Sequence, residues 1–525
     1  MAGLEQSRLV QLLAVAKPTT AGEWAVALTA GLVLITAINV LRQFLPQDKS
    51  EPPLVFHWFP LIGSTVTYGK DPPRFLMQCR EKYGDIFTFV MLGRKTTAYL
   101  GTTGNEFVLN AKVADLNAEE VYGPLCTPVF GRGVIYDCEG WRFMEQKRFM
   151  KAGFTNAALS SHVRLMEDEV LDYIKSEPSL KGNQGTLDVP PSMAQITIFT
   201  ASRTLQGPEV RSKLSHEVAE LYHDLDMAFQ PINFIIPWAP LPRNRRRDIA
   251  QAKMRDVYLS IIKDRRQREA STDEDRSDML WALMEAVYKD GAAISDVEIA
   301  HLMIALLMAG QHTASSTSSW IILRLASRPD IAEELYDEQV RNLGRDGALP
   351  RLEFAHLDKL PLLRAVVKET LRLHSSIHSI MRRVTRPMSV PGTDYIIPPG
   401  RTLLASPSVV QQDARYFPNP EEWDPHRWDS PSTDQHDDDE MVDYGFGAIS
   451  KGTRSPYLPF GAGRHRCIGE HYAYANLMAI IATLVRHFRF GTMDGSRTVP
   501  PTDFTSMFSV PSRPAVVRWE RREVE

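Results

Sequence analysis

The stretch from Ser295 to Pro329 limits the possible folds more than any other. Ser295-Asp-Val-Glu298 is a capping box, in which serine and glutamate satisfy each other's backbone donors, so it marks a helix start. Helical composition continues to the neighbourhood of Pro329, giving roughly 30 residues, or about 50 Å at the standard rise. Ala300 to Ala309 is apolar nearly all round apart from His301. A helix with no polar face is buried on every side, so a thick, helix-dominated body must surround it. Gly310, His312, Thr313 and the hydroxyls from Ser315 to Ser319 then interrupt this apolar run with poor helix formers. Those hydroxyls either bond back to carbonyls of the preceding turn or mark a helix that bends around a small ligand. The conflict between local preference and burial favours the second reading, with His312 and Thr313 available for proton delivery.

The 525 residues are 43% hydrophobic, enough to bury a large core, and carry a formal net charge of -4. That balance opposes any global attraction to nucleic acid. The Arg243, Arg245, Arg246 and Arg247 cluster is interleaved with acids and reads as a solvated helix, followed by an acidic loop at Ser271 to Asp278. Four cysteines, at 79, 126, 138 and 467, include no Cys-x-x-Cys pair, so neither a disulfide framework nor a zinc finger is encoded.

Residues 4 to 16 place Leu4, Leu9, Leu12, Leu13 and Ala16 on one helical face, an amphipathic segment closed by Pro18. Trp24 to Leu41 then runs uncharged between Glu23 and Arg42, long enough for a membrane-spanning helix. A signal peptide is the alternative, but the basic n-region and a small-residue cleavage site are missing. Arg8 and Lys17 before the span balance Arg42 and Lys49 after it, so charge does not orient it. A linker with Pro46, Pro52, Pro53 and Pro60 follows, with Phe56, Trp58 and Phe59 placed to touch the interface. Strand-like runs at Asp85 to Val90 and Lys95 to Leu100, about a Gly93-Arg94 turn, predict a hairpin.

Near the C-terminus, Phe460-Gly-Ala-Gly-Arg-His-Arg-Cys467-Ile-Gly469 frames one cysteine with glycines and bases and precedes a helical stretch from Glu470 to His487. Positive neighbours and a helix N-terminus favour a thiolate. A lone thiolate suits the iron of haem, whereas zinc needs several clustered ligands; the alternative is a small buried hydrophobe. Tyr122, Tyr136 and Lys147 lie in a Gly-punctuated aromatic segment and read either as core or as donors reaching a buried anion such as haem propionates. Glu369 and Arg372, at i and i+3 among leucines and valines, predict a buried structural pair. His374 and His378 have metal-like spacing but no third ligand follows. Asp434 to Asp443 reads as a solvated acidic loop.

The cysteine loop, the Glu-x-x-Arg helix and the long interrupted helix together resemble the cytochrome P-450 haem-thiolate monooxygenases, over essentially everything after residue 50. Phe460, Gly463, Cys467 and Gly469 match that family's loop, with His465 where arginine is usual. Asp424-Pro-His-Arg427-Trp resembles its arginine meander, and Arg427 would join Glu369 and Arg372. The family's Trp-x-x-x-Arg is absent after Trp141, where Glu145 stands instead. Both departures, with Met-Glu-Gln-Lys147, Leu-Tyr-His-Asp-Leu-Asp226, Ala-Gly-Gln-His312-Thr313 and His378-Ser-Ile-Met-Arg382, resemble the sterol 14α-demethylase branch, its fungal members in particular.

The resemblance implies a mainly α fold with small β-sheets, residues 1–50 as membrane anchor and 51–525 as catalytic domain. It implies haem b with Cys467 as axial iron ligand, and Tyr122, Tyr136, Lys147, Arg382 and His465 holding the propionates. Phe130, Phe229, Phe234, His312, Ile377, Ser379 and Met507 would line a sterol cavity, and His312, Thr313 and Asp226 would relay protons. It further implies O2 as co-substrate, electrons from an NADPH-cytochrome reductase, and three oxygenations of lanosterol or eburicol in ergosterol synthesis. The catalytic domain would face the cytosol from the endoplasmic reticulum membrane on a single pass. A haem-thiolate hydroxylase of fatty acids or xenobiotics, or a non-catalytic haem or steroid-binding protein, are the alternatives.

Overall fold

The computed structural model describes residues 20–522 apart from 214–215, 235, 268–277, 346 and 430–452. The amphipathic stretch at 4–16, nearly all of the acidic loop at 271–278 and the acidic patch at 434–443 therefore lie outside the described residues. Helices predominate, with small sheets beside them.

The first described helix, Ala21–Phe44, opens on a capping box in which Thr20 and Glu23 exchange hydrogen bonds, each of 3.2 Å. Its 24 residues extend about 36 Å, more than the ~30 Å hydrocarbon core of a bilayer. None of them is buried against the body. Glu23 and Arg42 fall inside its first and last turns, so the helix outruns the uncharged stretch at both ends. Its C-terminal half is not loosely tethered. Asn39 Nδ2 donates to the carbonyls of His57 and Trp58 at 2.9 and 3.0 Å, and Gln43 exchanges bonds of 2.7 and 3.0 Å with the His57 backbone.

A five-stranded sheet follows the order Ile86–Met91, Arg94–Tyr99, Thr402–Ala405, Ile380–Val384 and Leu116–Asn117, with one parallel pairing, between Arg94–Tyr99 and Thr402–Ala405. In its hairpin Met91 pairs with Arg94, so the turn falls on Leu92-Gly93, one residue earlier than the expected Gly93-Arg94. Both turn residues have positive φ, 50° and 74°, the twist that a two-residue hairpin loop requires.

The long helix spans Asp296–Ser327 and packs against Val189–Ala201, Pro242–Gln267 and Glu470–His487. It is unbroken at Gly310. Thr313, Thr317, Ser318 and Ser319 donate to the carbonyls four residues earlier at 2.7–2.8 Å, the back-bonded arrangement rather than an interruption. Function is marked here by exposure instead: Ala309 is exposed and Gly310 to Thr313 are half-buried, between buried runs on either side. This turn is less closely covered by protein than the runs that flank it.

Two buried histidines away from that turn make stability pH-dependent. Burial lowers His162 to about 4 and holds His374, stacked on Trp320 with centroids 3.8 Å apart, well below its usual range. Arg324 Nε donates to His374 Nε2 at 3.0 Å, which requires the neutral ring. The unfolded chain protonates these rings below about pH 6.5 while the folded chain resists, so stability falls as pH drops through that value. Denaturant midpoints measured from pH 7 down to 4 should decline, and His162→Gln should flatten part of the slope.

Candidate functional site

Cys467 stands just before the helix Glu470–His487, whose N-cap is Gly469. Its N–H donates to the Phe460 carbonyl at 3.0 Å, closing the loop into a compact turn. Gly463 allows this shape: its φ is 65°, and a Cβ would lie 2.2 Å from the Leu109 carbonyl oxygen. Gly463→Ala is therefore expected to displace the loop and lower the haem-loaded fraction several-fold, read as Soret absorbance per protein. The Cys467 side chain is exposed although protein surrounds it, so it opens onto internal space. Burial raises its thiol, opposed by the Gly469 N–H and by Lys147 and Arg466.

His465 stacks on Tyr136 at 6.4 Å and on Phe143 at 5.6 Å, those two rings are tilted by 38° to each other, and Tyr122 lies 5.2 Å from Tyr136. Tyr122 Oη accepts the Met381 N–H at 3.0 Å and faces the buried Arg382 guanidinium, which donates to the Met381 carbonyl at 2.7 Å. Burial, then Arg382, Lys147 and Arg464, lower His465 to about 3, and its buried Nδ1 has no hydrogen-bond partner. Among the described residues no carboxylate forms an ion pair with Arg382, Lys147 or His465. Two phenols, a guanidinium, an ammonium and an orphaned imidazole nitrogen beside one cysteine fit a dicarboxylate metalloporphyrin.

Lys147 is placed differently from a simple anion donor. Its Nζ donates to the carbonyls of Arg464 and Arg466, both at 2.9 Å, bracing the cysteine loop and leaving one proton for another acceptor. Glu145 turns away to accept the Lys289 N–H at 2.8 Å and pair with Arg148 at 3.1 Å.

His312 Nε2 lies 3.2 Å from Asp226 Oδ1. The His312 side chain is 13% exposed and that of Asp226 38%, so the pair runs from interior towards solvent. Burial lowers His312 and Asp226 opposes this, favouring a neutral ring at pH 7. Phe508 stacks on that ring at 5.2 Å, and Phe229, edge-on to both, lies 6.0 Å from Phe130. Phe234 approaches Tyr122 at 6.4 Å, and Met507 N–H reaches the Phe229 carbonyl at 3.4 Å. Ile377 is 44% exposed, whereas Ser379 is buried and its hydroxyl is engaged by Tyr68 at 3.1 Å and His378 at 2.9 Å. The sequence marks neither Phe508, in the loop with Met507, nor Tyr68 as a site residue; no spacing rule links them to His312 or Ser379, which lie 196 and 311 residues away.

Glu369 and Arg372 are wholly buried on the helix Pro361–Leu373. Arg372 meets Glu369 through two bonds of 2.8 and 2.9 Å and also donates to the carbonyls of Gln411, Pro420 and Glu422. Arg427 Nε, the Asp424 N–H and Trp428 Nε1 complete the Glu369 carboxylate at 3.0 Å each. Gln411 then accepts the Leu458 N–H at 2.9 Å, joining this network to the cysteine loop.

The Cytochrome P450 family model matches residues 52–519. The chain is 58% identical to a sterol 14-alpha demethylase of Aspergillus flavus, covering 94% of this chain and 96% of that one, and 57% identical to an eburicol 14-alpha-demethylase of Penicillium italicum with the same coverage. In fold it is similar to retinoic acid bound cyanobacterial CYP120A1, with a TM-score of 0.72 at 21% identity, over 91% of this chain and 100% of that one. By the match over residues 52–519 and the close identity to these demethylases, the chain belongs to the cytochrome P450 family, within its group of fungal sterol 14-alpha demethylases.

Proposed function

We propose that this protein removes the 14α-methyl group of lanosterol or eburicol in three successive oxygenations, through alcohol and aldehyde to formate, leaving a 14,15 double bond. Close identity to demethylases along nearly the whole chain supports the reaction, and the His312–Asp226 pair, on the incompletely covered turn Ala309 to Thr313, carries the mechanism. Cys467 would supply the thiolate that holds haem, which would provide oxygen activation when bound. Tyr122, Tyr136, Lys147, Arg382 and His465 would hold its carboxylates. Phe130, Phe229, Phe234, Ile377, Ser379 and Met507, joined by Phe508, provide a mostly apolar wall suited to a flat sterol.

His312 passes protons inward from Asp226, and Thr313, whose hydroxyl donates to the Ala309 carbonyl at 2.8 Å, accepts and orients water at the same turn. A neutral imidazole between an exposed carboxylate and a cavity can take a proton on one nitrogen and release one from the other. Electrons come from an NADPH-cytochrome reductase and oxygen from O2. Residues 1–50 anchor the chain in the endoplasmic reticulum membrane by a single pass, with residues 51–525 as the cytosolic catalytic domain. Full-length protein reconstituted with reductase should convert lanosterol or eburicol to the 14-demethylated product and show a substrate-induced spin shift; with neither, the sterol reading fails. His312→Ala should retain haem yet slow turnover about 100-fold, as loss of a general acid–base group does; turnover unchanged at saturating reductase rules out the relay.

A further inference from the structure

The loop that presents Tyr136 is held in a conformation its sequence resists. Ile135, immediately before Tyr136, has a φ of 54°, an outlier for a β-branched residue because its side chain crowds the backbone. Gly131 and Gly133, at φ 107° and 78°, add two further positive-φ positions, which glycine tolerates. Such a run persists only when surrounding groups over-determine it. Three elements supply the grip. On the long helix, His301 Nδ1 lies 2.9 Å from the Arg132 carbonyl, and its ring occupies the space that a Cβ on Gly131 would need. Within the loop, Asp137 accepts the Gly133 N–H at 2.8 Å. The third is Gln146, fully buried on the helix Gly140–Met150.

Gln146 uses both ends of its amide. Oε1 accepts the Ile135 N–H at 3.0 Å, while Nε2 donates to the Gly133 carbonyl at 3.0 Å and to Tyr288 Oη at 3.1 Å. Tyr288 Oη in turn donates to Glu298 Oε1 at 3.3 Å, in the capping box of the long helix. The next residue, Lys147, grips the cysteine loop. One helix thus fixes, through adjacent side chains, the loop carrying the iron ligand and the loop carrying the Tyr136 phenol.

We infer that Gln146 is a positioning residue that holds Ile135 left-handed and so aims the Tyr136 hydroxyl at a haem carboxylate. This rests on the reading of Tyr136 as a haem contact. A core amide with no such role would alter stability without altering that carboxylate's hydrogen bonding.

The test uses the full-length holoenzyme, with the propionate-bending band in resonance Raman spectra and the rate of haem transfer to apomyoglobin as readouts. Tyr136→Phe and Gln146→Met should each shift the band and speed transfer about tenfold, the scale of one hydrogen bond to a charged group. The double variant should go no further than Tyr136→Phe alone. Adding Ile135→Gly to Gln146→Met removes the steric cost that the clamp opposes and should restore both readouts to within about twofold. If Tyr136→Phe shifts both readouts and Gln146→Met neither, or if the double variant is additive, the inference is wrong. If Tyr136→Phe itself shifts neither, the haem-contact reading fails first. Should Gln146→Met not fold, Gln146→Asn, whose amide falls one methylene short of the Ile135 N–H, must shift the band in the same direction; an unshifted band overturns the inference.

Discussion

Cys467→Ser should give a folded protein whose reduced, carbon-monoxide-bound Soret band has left the thiolate position and whose sterol turnover has fallen at least about a thousandfold. A serine hydroxyl is a far weaker donor to iron than a thiolate, and electron donation from the thiolate is what favours O–O cleavage. The substitution is nearly isosteric. The turn closed by the Cys467 N–H on the Phe460 carbonyl is backbone-made and survives it, as do the Lys147 bonds to the carbonyls of Arg464 and Arg466. Unchanged far-ultraviolet dichroism should therefore accompany the spectral loss. A retained thiolate-type band in Cys467→Ser would assign the axial ligand to another residue.

Glu369→Ala should be the most destabilising single substitution away from the iron. It strands the fully buried Arg372 guanidinium and strips the partly buried Arg427, the Asp424 N–H and Trp428 Nε1 of their acceptor. Removing one member of a buried ion pair costs about 3–5 kcal/mol, a large part of the roughly 5–15 kcal/mol that holds a typical domain folded. The expected result is little soluble holoprotein, with a lowered melting temperature in what remains. Gln411→Ala should be milder, because it unties the Leu458 N–H from the network while leaving the ion pair intact. Wild-type haem content and melting temperature in Glu369→Ala would show that the network contributes nothing to the cysteine loop.

Much of this site was legible because its parts are local. The capping box at Ser295, the i, i+3 spacing of Glu369 and Arg372, and the glycines around Cys467 each act within one turn or loop, where short-range sterics and hydrogen bonding decide the outcome. The run of poor helix formers in the long helix shows the limit of such reasoning. Poor helix formers at Thr313 to Ser319 weaken an isolated helix, but burial of Trp320, Ile321 and Ile322 on one side and Ala300 to Met308 on the other holds it continuous. Packing outweighs the few tenths of a kcal/mol per residue at stake in propensity.

By itself the sequence determined a core helix buried on every face, a single cysteine in a glycine-framed loop and an apolar helix able to span a bilayer, since composition and period act along one chain. Only the tertiary structure decided that Lys147 braces the cysteine loop, that Phe508 stacks on His312, that Gln411 ties the buried ion pair to Leu458, and that Gln146 holds Ile135 left-handed. The reason is directional. An amide or ammonium has several possible partners in the unfolded chain, and only the packing of distant segments removes water and leaves one of them within reach.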